Sequence, residues 1–289
     1  MLETKTVTNG PSAIQPQRVC HDALPWLISF SLGSMHAPAI KRHWRHCLLF
    51  LIAAAPLLIL LCLPPIHQDA RYHEFADRRR FLGAPNFADV VSNAPFLIVG
   101  LAGIMLGACG RLTGYSICWF TFFLGVSLVS VGSGYYHWHP SNDSLVWDRL
   151  PMTVAFISLF MAILSESVHP KLGTILLLPG LMLGAGSVIY WHCYNDLRFY
   201  AWVQYAPLLI LPVLLALFPS QYSHRYMLLI AFACYLLAKL FEVSDREVFA
   251  ILHGRVAGHA IKHLWAAAGC LCILQMLRKR QFLNVKRAA

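Results

Sequence analysis

Residues 172–192 read LGTILLLPGLMLGAGSVIYWH, a run with no lysine, arginine, aspartate or glutamate. Wound as an α-helix at about 1.5 Å per residue, it reaches across the ~30 Å hydrocarbon core of a bilayer. Comparable apolar runs cover 47–64, 88–108, 116–137, 149–166, 202–218, 226–242 and 258–277. Hydrophobic residues make up 58% of the chain and charged residues only 12%, too few to give a soluble globule an ordinary polar surface. Lipid offers no hydrogen bonds to an open backbone, so repeated spans of this length imply helices. The expected fold class is therefore all-α: a polytopic membrane helix bundle of eight spans, or one amino-terminal helix plus a core of seven.

Outside the spans the chain is short of material for a second folded body. Residues 1–45 lack sustained periodicity and carry Pro11, Pro16, Pro25 and Pro38, so they are expected to be poorly ordered. A transmembrane domain is expected over 46–281, followed by a basic tail at 282–289. The run after Lys41, Arg42 and Arg45 is too far into the chain for an ordinary signal peptide and reads as a retained helix. Gly103 with Gly107, and Gly180 with Gly184, have the spacing that lets helix backbones approach closely inside a bundle.

The nine cysteines form no CxxC pair, and no disulfide framework is read from them. The net charge of +10 is scattered, which suits anionic lipid headgroups and argues against nucleic acid as a partner. An even number of crossings puts both termini on one side. Eleven lysines and arginines fall there against eight opposite, Arg149 among the eight, so the termini are expected in the cytoplasm.

Ionisable groups at membrane spans need a partner or a role. Ser133 and His137 end the third span and share a helical face at four-residue spacing. Asp148 enters the fourth span. His259 and His263 open the eighth, again four apart. Because successive spans alternate in direction, these three places must lie at the same membrane surface, whichever way the chain is inserted. Three imidazoles suffice for a catalytic zinc site, which leaves a fourth position for water. Asp148 is then the natural general base and acid, and Ser133 a donor to a developing oxyanion.

Other polar residues are given lesser parts. His139 falls off the shared face and is expected in the loop, and His253 is expected to face solvent. Asn86, Asp89 and Asn93 open the second span at the same surface, where they would line the site or bond its ligands. Lys239 and Glu242 are expected to pair, and Lys262 to snorkel toward water.

Taken as an ordered set, VVSNAPF at 90–96, GSGYYH at 132–137, WDRLPM at 147–152 and GHAIKH at 258–263 resemble the alkaline ceramidases. Those enzymes share a superfamily with the adiponectin and progestin receptors. The resemblance covers the seven-span core, from about residue 72 to 278, and leaves the first helix outside. It implies a zinc-dependent amidase that splits ceramide, or a similar lipid amide, into an amine and a fatty acid. His137, His259 and His263 match the zinc ligands, and Ser133 and Asp148 the remaining polar site residues. Calcium is not expected, since residues 72–80 are basic overall and Asn86 stands where a ligand carboxylate would be. The chain looks closer to bacterial members, which implies an inner or plasma membrane. Two other readings use the same residues: a lipid-binding receptor of this superfamily without turnover, and a membrane protein with haem ligated by paired histidines.

Overall fold

Eight helices long and apolar enough to cross a membrane succeed one another in the computed structural model, which describes residues 37–112 and 116–283. The chain is an integral multi-pass membrane protein, all-α, with no strand among the described residues. It divides into two units, Met1–His43 and Trp44–Ala289, and the second holds the bundle. Of the stretch expected to lack order, 1–36 lie outside the described residues, as does 284–289 of the expected tail, but 37–45 are already helical.

The first long helix is α1, Ala37–Cys62. A 3-10 turn at Ala70–His73 and a short helix α2, Phe87–Val91, lead into α3, Ala94–Ala108. Then come α4 (Ser116–Trp138), α5 (Asn142–Ser167), α6 (Lys171–Tyr194), α7 (Arg198–Leu217) and α8 (Tyr226–Val243). A short α9, Asp245–Ile251, precedes the last helix α10, Gly258–Lys279. Phe50, Ile98 and Leu178 are 71%, 69% and 66% exposed, apolar side chains turned outward as on membrane-spanning helices.

Two local departures from the sequence reading set up the interior. The span expected as one helix over 88–108 is broken between α2 and α3, where Pro95 sits in the first turn of α3 and has no N–H to continue the ladder. The carbonyl of Asn93 at this break accepts from the Phe96 N–H at 3.1 Å and from the Ser130 hydroxyl at 2.8 Å. The second departure is α5, which begins at Asn142 rather than near 149. Ser141 caps it: its hydroxyl accepts from the Ser144 N–H at 3.1 Å, and the Ser144 hydroxyl accepts from the Ser141 N–H at 3.0 Å. Asp148 therefore lies inside the helix, not at its entrance.

Glycines decide how closely the helices approach. A Cβ on Gly125 would stand 2.7 Å from the Ala155 nitrogen, and one on Gly132 would run into the Trp147 carbonyl. Only bare glycine thus lets α4 lie against the α5 backbone beside Ser133 and Asp148. Gly103 lies under the Phe123 ring, and Gly180 and Gly184 against Ile157, so the spaced glycines serve packing inside the bundle. The last helix, α10, packs against both α8 and α3, which brings the end of the chain back to the start of the core.

Opposite ends of the bundle hold different polar groups. Where α4 starts and α5 and α10 end, Glu166 accepts from Arg280 at 2.7 Å and from the Trp119 indole at 2.9 Å, all buried. At the other end, the segment after α1 is tied to the α6–α7 turn. Leu197 N–H donates to the Ile66 carbonyl at 2.8 Å, Gln68 N–H to Asn195 Oδ1 at 3.1 Å, and Arg198 to the Leu63 carbonyl at 2.6 Å. Bonds from Arg198 hold the Asp196 carboxyl below its ordinary range, against the effect of burial. This tie seats Gln68 and Tyr72 over one end of the helices.

Candidate metal centre

His137 comes from the last turn of α4, and His259 and His263 from the first two turns of α10. Their ring centroids stand 4.8, 4.9 and 5.0 Å apart, and one nitrogen from each lies within 4.8 Å of the others. The three residues are 1%, 6% and 3% exposed. Four-residue spacing on α10 puts two imidazoles on one face, and opposite chain direction in α4 puts the third at the same depth.

The surroundings fit a cation bound by neutral imidazoles. His137 Nδ1 is buried with no hydrogen-bond partner in the protein, as a ligand lone pair would be. His263 Nδ1 is 2.7 Å from the Ser92 hydroxyl, whose proton is directed to the Asp89 carbonyl at 2.9 Å. Ser92 must then accept the imidazole N–H, which leaves Nε2 of His263 as the bare nitrogen. Asn86 donates to the His137 carbonyl at 2.9 Å. The Phe75 ring closes the site from above, 4.6 Å from the His137 ring and 5.0 Å from that of His259. Asp245 holds this lid to α10, accepting from the Ala76 N–H at 2.9 Å and the His259 N–H at 2.7 Å.

Ser133 and Asp148 share a cavity with His263. The Ser133 hydroxyl approaches the Asp148 carboxyl across the α4–α5 contact, and both residues are buried. With His263 and Lys262 they line one end of a cavity of about 400 Å³ that continues between the helices to Phe122, Leu211, Leu228 and Ile273. Ile273 follows His263 by ten positions on α10, so the apolar part runs about 15 Å toward the opposite face. The cavity is thus polar at one end and apolar along the rest of its length.

Other expectations fare variously. His139 and His253 are exposed and outside the cluster. Asn93 lines the cavity, and its amide donates to the Asp89 carbonyl at 2.8 Å. Both Asp89 carboxylate oxygens are buried without a hydrogen-bond partner. Lys239 does pair with Glu242. Lys262 does not snorkel: it points inward, donating to Glu242 at 2.8 Å with Nζ 3.2 Å from His259 Nε2. The half-buried Glu242 carboxylate outcompetes the membrane surface for it. Arg149, counted among loop cations, is likewise an interior residue of α5.

In the segment before α2, Arg79 grips both oxygens of Asp77 and holds that carboxyl below its ordinary range, although burial pushes the other way. Asp77 and Asn86 thus already have partners within the protein. Sequence reasoning missed Ser92, Phe75, Gln68 and Asp245. Ser92 had a usable signal, a hydroxyl just before the Asn93-Ala94-Pro95 helix break. The others lie in connections whose course hydropathy does not predict.

Comparison of the chain with protein-family models, with curated proteins and with solved structures finds no match.

Proposed function

We propose that this protein is a zinc-dependent intramembrane amidohydrolase that cleaves the N-acyl bond of ceramide or a similar lipid, as the resemblance to the alkaline ceramidases implies. One observation carries the reading: His263, Ser133 and Asp148 border the same end of one long apolar cavity. His137, His259 and His263 would hold the metal. Zinc held there would supply Lewis acidity and activate water as a nucleophile. Asp148 takes the proton of the attacking water and returns it to the leaving amine. The Ser133 hydroxyl donates to the oxygen that gains charge. The cavity walls align the acyl chain and keep bulk water away from the amide.

Zinc analysis of the purified protein, run beside a hydrolysis screen of N-acyl lipids, tests this. One zinc per chain and sustained release of fatty acid are expected. Zinc without release from any amide would instead favour a lipid-binding receptor.

The Lys/Arg bias further supports termini in the cytoplasm, which puts the metal end of the bundle on the opposite side. A reporter fused at the carboxyl terminus should read cytoplasmic, and the opposite reading would reverse the orientation without separating the site residues.

A further inference from the structure

Beside the reactive end of the cavity lies a buried cation that enters no ion pair among the described residues. Arg149 is 5% exposed and borders the cavity next to Asp148. Its guanidinium packs on aromatic rings, 3.9 Å from the centroid of Trp191, 4.6 Å from Tyr200 and 5.8 Å from Tyr72. Along its edge, Nη2 donates to Gln68 Oε1 at 2.6 Å, while Nη1 is buried with no hydrogen-bond partner. Among the described residues no carboxylate lies within ion-pair distance of it.

The aromatic rings satisfy the faces of a planar guanidinium, but not the N–H groups on its edge. Leaving such a donor and its charge buried in the protein is costly unless something else completes the site. The cage also has a definite place along the cavity. Ile66, Gln68, Tyr72 and Leu197 border it from the connections at the membrane surface, at the opposite end from Ile273. A lipid whose acyl chain fills the apolar end would therefore present its amine-side half to Arg149.

We infer that the lipid bound here carries an oxyanion, a carboxylate or a phosphate, on the amine side of its amide, and that Arg149 binds it through its unpartnered edge. This rests on the amidase reading for the orientation of the lipid, and it adds a specificity residue that a neutral ceramide would leave unpaired.

Three amides with one acyl chain test it: N-palmitoylglycine, N-palmitoylethanolamine and its phosphate monoester. The first and third separate carboxylate from phosphate, and the second carries neither. At least one anionic amide should exceed the neutral one in kcat/KM by about 10²-fold, since a site built for a polar group strongly rejects an analogue lacking it. In Arg149→Gln, with zinc content checked as evidence of folding, that ratio should fall to within about threefold. Arg149→Lys, which keeps the charge but loses the fork, should retain an intermediate ratio and serves if the glutamine variant does not fold. A wild-type protein that prefers the neutral amide, or a preference that survives both substitutions, overturns the inference.

Equilibrium binding of the same three lipids separates this outcome from failure of the amidase reading. If none is cleaved, tighter binding of an anionic amide that is lost in Arg149→Gln still supports the anion site, and equal binding of all three overturns it.

Discussion

Alanine at His137, His259 or His263 is expected to leave the purified protein almost free of zinc. Each imidazole is buried, and together they are the only group of three His, Cys, Asp or Glu side chains among the described residues with ligand atoms close enough to share an ion. Removing one leaves two ligands, and no carboxylate of the cluster's surroundings stands within the same reach. Ser92→Ala provides the scale. It removes only the acceptor that orients His263, so affinity should fall by about 10- to 100-fold, the usual effect of losing an outer partner of a metal ligand. Zinc retained per chain after dialysis against a graded chelator should rank wild type above Ser92→Ala, and Ser92→Ala above the three alanine variants. Helicity by circular dichroism confirms that each variant is folded. Full zinc occupancy in His259→Ala would remove that residue from the ligand set.

Asp148→Asn should behave in the opposite way, keeping zinc and losing turnover. The amide preserves the shape of the side chain beside Ser133 but cannot take a proton from water or return one to an amine. A positioned acid or base is worth about 10²- to 10⁴-fold, or roughly 3–5 kcal/mol of barrier. Ser133→Ala should also keep zinc, with a loss of about 10²-fold, the scale of one oxyanion donor. Neither a receptor nor a haem carrier predicts this separation of metal content from turnover. Zinc content and fatty-acid release measured on the same preparations decide it, and wild-type turnover in Asp148→Asn would sink the role given to that carboxyl.

Eight spans were legible in the amino-acid order alone, because a membrane crossing is a property of a whole segment. Some twenty apolar residues in a row suffice whatever their neighbours are. Alternating direction and four-residue spacing also placed His137, His259 and His263 at one depth without knowledge of any contact. Which way an individual polar side chain turns is another matter, since that depends on what the neighbouring helices offer it.

Lys262 turns inward because Glu242 on α8 supplies a half-buried carboxylate, a pairing between residues twenty positions apart. Arg149 lies in an aromatic cage assembled from α6, α7 and the segment after α1, none of which its local sequence announces. Ser92 reaches His263 because the chain breaks before α3 and because α10 returns to pack there. Gly132 is a plain glycine in sequence, yet its missing side chain is what lets Ser133 approach Asp148. Local sequence determined the helices and the depth of their polar groups, since both follow from hydropathy and helical period. Tertiary packing decided the partners, because a hydrogen bond or ion pair in lipid forms only where two backbones are brought close enough to make it.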